Sequence, residues 1–134
     1  MLTGSCLCGA IAYQADAEIT RIAHCHCRTC RKTHGAAFSS VTTVPRDSFR
    51  WTRGRELLGA FESSPGKFRR FCTRCGSHLM AERNAQPVVM LRLGCLDTPI
   101  GPGAADRQVH IWRSEGACWY DPKAAFAELP QGLS

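Results

Sequence analysis

The chain has 134 residues, with 17 basic and 11 acidic side chains, a formal charge of +6 and nine cysteines. Hydrophobic types at 44% and charged types at 21% exclude a disordered tail protein or a collagen-like repeat, and predict one compact domain over residues 1–134. The longest aliphatic run, residues 88–91, is far shorter than the ~20 residues that cross a bilayer, so no membrane span is expected.

Along the chain, β-branched and alternating stretches bounded by turn residues predict short strands at 10–14, 38–44, 49–53, 57–61, 67–71, 79–82, 88–93 and 109–112. One or two helical turns are predicted over 28–33, ended by Gly35, with a short amphipathic piece near 122–128 that stops at Pro130. Segment 98–106, carrying Pro99, Gly101, Pro102 and Gly103, reads as a loop. The expected fold class is therefore mainly β. A small β domain has modest burial to set against its chain entropy, and a metal staple would help it.

The cysteines supply that staple. The opening residues lack a basic and apolar leader pattern, so the cytoplasm is the expected compartment. A reducing compartment disfavours disulfides and favours metal binding or thiol chemistry. Cys6 and Cys8 are two apart, so in an extended segment both aim at one side while Leu7 turns away. Cys72 and Cys75, followed by Gly76, have the spacing of a zinc knuckle. Joined, the two pairs make a closed four-sulfur site, and binding of a structural zinc, on the order of 10 kcal/mol, would add folding energy.

The middle group, Cys25, Cys27 and Cys30, combines an extended pair with one helical step. Three ligands and a free fourth position mark a catalytic zinc rather than a structural one. His24 and His26 have the wrong strand parity to join it; His34, four residues past Cys30 on the same helical face, is the candidate fourth ligand. Two zinc ions per chain are therefore expected. Cys95 and Cys118 read as small buried hydrophobes, and Phe38, Trp51 and Trp112 as core. Dithiol exchange at the Cys-x-x-Cys steps is disfavoured because no βαβ pattern surrounds them. The charge excess sits beside the cysteines, with Arg28, Arg31 and Lys32 at the middle group and Lys67, Arg69, Arg70 and Arg74 at the last. That placement favours compensation of thiolate charge over a nucleic-acid groove.

The segments Gly4-Ser5-Cys6-Leu7-Cys8-Gly9, His24-Cys25-His26-Cys27-Arg28-Thr29-Cys30-Arg31 and Phe71-Cys72-Thr73-Arg74-Cys75-Gly76-Ser77-His78-Leu79 occur in this order. In this order of motifs the chain resembles the glutathione-dependent formaldehyde-activating enzyme family, which also includes centromere protein V. The resemblance implies a β-tent fold of short antiparallel strands, a structural zinc on Cys6, Cys8, Cys72 and Cys75, and a catalytic zinc on Cys25, Cys27 and Cys30. It further implies a carbon–sulfur lyase that joins a thiol such as glutathione to formaldehyde or another small aldehyde. Arg28, Arg31 and Lys32 are then candidate contacts for the carboxylates of glutathione. The rival expectation is a non-catalytic zinc-stapled module that binds a protein or nucleic acid. A homo-oligomer is compatible with either.

Overall fold

The computed structural model describes residues 1–133. Among the described residues, ten strands form two sheets. In the smaller, β1 (Leu2–Ser5), β2 (Ala12–Ala15) and β5 (Phe49–Arg53) lie in the order β1-β2-β5, all antiparallel.

The larger sheet contains β3 (Ile22–Cys25), β4 (Ser39–Pro45), β6 (Leu58–Ser64), β7 (Lys67–Cys72), β8 (His78–Arg83), β9 (Val88–Arg92) and β10 (Gln108–Ile111), ordered β10-β3-β4-β9-β8-β7-β6. Its pairs are antiparallel except β10 with β3, which is parallel, a departure from the expected all-antiparallel pattern.

The core lies where the two sheets meet. Leu2, Tyr13 and Ala15 from the first, with Ile11 just before β2, pack with Val44, Leu79, Met80, Val89 and Leu91 from the second. Tyr13, 1% exposed, is braced by the rings of Phe49 and Trp51. Trp51 thus packs on the core as expected. Trp112 does not: it is 59% exposed, just beyond the edge strand β10.

Two strands were absent from the pattern reading, β1 and β3. Both are four residues long, and each is interrupted by small or polar residues, so neither shows a run of alternation. The expected amphipathic piece near 122–128 is not helical. Ala124, Ala125, Phe126 and Ala127 are all exposed, so no buried face offsets the cost of nucleating so short a helix. Within the expected loop at 98–106, a 3-10 segment, Pro102–Arg107, leads into β10. No helix among the described residues is long and apolar enough to cross a membrane.

Candidate functional site

The sheets bring the cysteines into two groups. In the first, the sulfurs of Cys6, Cys8, Cys72 and Cys75 all lie within 4.8 Å of one another. Cys6 follows β1 and Cys72 ends β7, so sheet packing brings these distant residues together. Residues 6–9 form a turn rather than the expected extended segment. In that turn the Gly9 N–H donates to the Cys6 carbonyl at 2.9 Å, and in the second knuckle the Gly76 N–H donates to the Cys72 carbonyl at 2.8 Å. Both glycines have positive φ, 76° and 78°, which side-chain-bearing residues rarely adopt. The Ile11 N–H donates to Cys6 Sγ at 3.3 Å and the Arg74 N–H to Cys72 Sγ at 3.4 Å.

Ser77 ties the knuckles together. Its hydroxyl accepts the Leu7 N–H at 2.9 Å and sits 3.3 Å from Cys75 Sγ, to which its own proton can be given. This hydroxyl and the Ser77 backbone hold the Cys75 thiol down to about 5. The donor set fits a tetrahedral zinc. Four sulfurs at ~2.3 Å from an ion stand ~3.8 Å apart, and the structure gives 3.6 Å for Cys6–Cys8 and 3.9 Å for Cys8–Cys72.

The second group is Cys25, Cys27 and Cys30, whose sulfurs also lie within 4.8 Å of one another. Cys25 is the last residue of β3, fixed between Ser39 of β4 and Ile111 of β10. Cys27 caps helix α1 (Arg28–His34), and its Sγ accepts the Cys30 N–H at 3.3 Å, the role a serine or aspartate usually fills. Cys30, on the first turn, is the buried residue of that helix. A hydrogen bond from the Cys25 thiol, with the Arg69 charge beside it, pulls Cys30 down to about 3, while Cys25 is pushed up. Three sulfurs gathered around one charged thiolate suit a divalent ion.

No fourth cysteine, histidine or carboxylate belongs to this group among the described residues. His34, the candidate fourth ligand, instead packs its ring against His78, centroids 5.0 Å apart. His26 is fully buried and bonded to His110 at 2.8 Å, and His24 bonds Ser40 at 2.8 Å and Gln108 at 2.6 Å. Cys95 is half-buried, its thiol donating to the His78 carbonyl at 3.1 Å, and Cys118 is exposed rather than buried.

The sulfurs of the second group open on a cavity of about 250 Å³, lined also by Lys67, Arg69, Arg83, Trp112 and Glu115. Its cations come from β7 and β8, not from α1. Arg28 and Lys32 are exposed, Arg31 is half-buried, and none of the three lines this cavity. Arg69 is 2% exposed, and its Nη1 and Nη2 point donors at Cys30 Sγ from 4.0 and 3.8 Å. In the sequence Arg69 stands three residues before Cys72, beside that cluster. Strand parity separates them: Arg70, next along, pairs with Glu82 at 2.9 Å on the opposite side of the sheet. Arg92, 6% exposed on β9, is a second buried cation close enough to the thiolates to feel their charge. No spacing rule links β9 to the cysteines, so sequence alone gave no signal for it.

Comparison with known proteins places this arrangement. The chain is 34% identical over 76 residues to an uncharacterized lyase of Schizosaccharomyces pombe, a match covering 57% of this chain and 53% of the relative. It is 36% identical over 80 residues to a Podospora anserina protein named "Putative glutathione-dependent formaldehyde-activating enzyme", covering 58% of this chain and 37% of that one. The aligned segments thus span about half or less of those relatives' own lengths. A crystal structure of a Rhodobacter sphaeroides protein shares the fold, with a TM-score of 0.64 and 21% identity over 81% of this chain and 98% of that one. The family model for glutathione-dependent formaldehyde-activating enzymes matches residues 1–115, and the chain belongs to that family.

Proposed function

We propose that the chain is a zinc-dependent carbon–sulfur lyase-type enzyme that joins a thiol such as glutathione to formaldehyde or another small aldehyde. The observation that carries this is the three-sulfur group open to a cation-lined cavity, beside a four-sulfur group suited to a structural ion. A zinc on Cys25, Cys27 and Cys30 supplies a Lewis-acidic position that lowers the pKa of an incoming thiol.

The protein's own groups do the rest. Lys67, Arg69 and Arg83 hold the carboxylates of an anionic thiol in the cavity. Trp112 forms an apolar wall, and Glu115, the acidic side chain of the lining, is suited to take up the thiol proton. In the reaction the substrate sulfur bonds to the aldehyde carbon, the carbonyl π bond breaks, and the proton given up by the thiol ends on the new hydroxyl. The four-sulfur group takes no part in this chemistry and closes the fold.

The test is cobalt substitution. In the cobalt-loaded protein, added glutathione should alter the thiolate-to-metal absorption of the second site, and glutathione with formaldehyde should yield the S-hydroxymethyl adduct faster than in buffer. An unchanged spectrum and an unaccelerated reaction would favour a non-catalytic zinc-stapled module.

A further inference from the structure

His26 stands between two ligands of the three-sulfur group, yet it belongs to neither cysteine group and takes no part in the reaction proposed above. It is fully buried, and its backbone N–H donates to the Ile111 carbonyl of β10 at 3.0 Å. Its ring packs against Phe38, centroids 4.9 Å apart, and stacks on Tyr120 at 6.2 Å. Both ring nitrogens are engaged: Arg113 Nη1 lies 3.2 Å from Nδ1, and His110 Nδ1 lies 2.8 Å from Nε2. A guanidinium only donates, so Nδ1 of His26 accepts. The neutral ring then carries its proton on Nε2 and gives it to His110.

Arg113 begins a short 3-10 segment, Arg113–Glu115, that follows Trp112. Trp112 and Glu115 line the three-sulfur cavity, whereas Arg113 does not. Trp112 holds φ 58° and ψ 37°, a left-handed conformation that a bulky residue seldom adopts. At 59% exposure its side chain gains little packing in return, and such strain persists only where the surroundings impose it. Two bonds hold the segment in place, and both end on residues of the cysteine loop that are not ligands. Arg113 reaches His26, and Glu115 Oε1 accepts the Arg28 N–H at 3.2 Å. Gly116 leaves room for the first of these, since a side-chain carbon there would stand 2.5 Å from Arg113 Nη1. We infer that Arg113 is a positioning residue of this site: through His26 it joins the loop that bears Cys25 and Cys27 to the wall that bears Trp112 and Glu115. Filling the metal position and setting the wall are then coupled, each favouring the other. The inference rests on the proposed function for what the site does, but not for the coupling itself.

The experiment uses the full chain with zinc at the four-sulfur group and the second position either empty or filled with cadmium. Nitrogen NMR reads the His26 ring, and hydrogen exchange reads the amides of residues 113–115. In the wild type, cadmium at the second position should slow that exchange at least tenfold. Gly116→Ala displaces the guanidinium while keeping its charge and every residue that lines the cavity, and Arg113→Met removes the donor outright. In both, the His26 Nδ1 resonance should move toward that of an unbonded ring nitrogen, and the slowing should fall below threefold, with the zinc of the four-sulfur group retained. Arg113→Met decides the matter if the chain around Gly116→Ala yields instead. An unmoved Nδ1 resonance in Arg113→Met, or wild-type exchange at 113–115 that ignores cadmium, would overturn the inference even if glutathione binds. If glutathione leaves the wild-type cadmium signal unmoved while both expected changes occur, the proposed reaction fails and the role of Arg113 stands.

Discussion

Replacing Arg69 by methionine removes a buried positive charge while roughly keeping the side-chain volume. In the structure that charge faces Cys30 Sγ with donors at 3.8 and 4.0 Å. At such a separation two unit charges interact by about 4 kcal/mol for an effective dielectric near 20. Cys30 is held low and charged before any ion binds, and a bound cation then shares the sulfur's charge, so we assign about 2 kcal/mol to the chain with the second site empty, within the range for charge-assisted hydrogen bonds. Arg69→Met should therefore cost about 2 kcal/mol of stability while the second site is empty, and should not weaken metal binding at Cys25, Cys27 and Cys30. Affinity at the four-sulfur group should not change.

The loss should be read in the chain loaded only at the four-sulfur group, by urea titration, because removing the guanidinium leaves the buried Cys30 thiolate unpaired. Competition with a graded series of chelators, reading the two sites by their cobalt absorption, checks that neither affinity falls. Arg70→Met is the control: it is one residue away in sequence, on the face that pairs with Glu82. Unchanged stability in Arg69→Met, or equal loss in Arg70→Met, would refute the reasoning from strand parity.

Three further outcomes are expected. Cys72→Ser removes a fully buried sulfur from the four-sulfur group and should leave a chain that does not unfold cooperatively by circular dichroism, since structural zinc adds on the order of 10 kcal/mol. Gly4→Ala sets a methyl against the Tyr13 ring, which is 1% exposed and cannot retreat; urea titration should show a loss of about 1–3 kcal/mol with zinc content retained. His34 stays neutral until about pH 4 in the folded chain, against 6.5 for its ordinary value. The unfolded chain therefore binds the proton first, and stability should fall as pH drops through that window, by no more than about 2 kcal/mol since water screens part of the ring, a slope that His34→Gln should flatten.

What the sequence made legible were the elements with their own local signal. β5 matches its expected range, 49–53, and helix α1 starts at Arg28 as expected, with Cys27 as its cap and Gly35 as its stop. Both cysteine groups were readable from spacing, because each knuckle is built by neighbours in sequence. The second half of the site was not. The cations at the three-sulfur group come from β7, β8 and β9, and their arrival depends on the strand order β4-β9-β8-β7, which no local pattern encodes. Proximity in sequence pointed instead to Arg28, Arg31 and Lys32, two of which the helix turns to solvent. Trp112 was expected in the core for its size, yet it follows an edge strand whose four residues are all exposed, where little packs over it.

The proposed chemistry needs one metal site closed by four sulfurs and another, held by three, that admits a substrate thiol. Cadmium-113 NMR of the cadmium-loaded chain resolves the two directly. Two signals are predicted, and glutathione should move only the one from Cys25, Cys27 and Cys30 while the other stays fixed. A single signal, or two that both ignore glutathione, would contradict it.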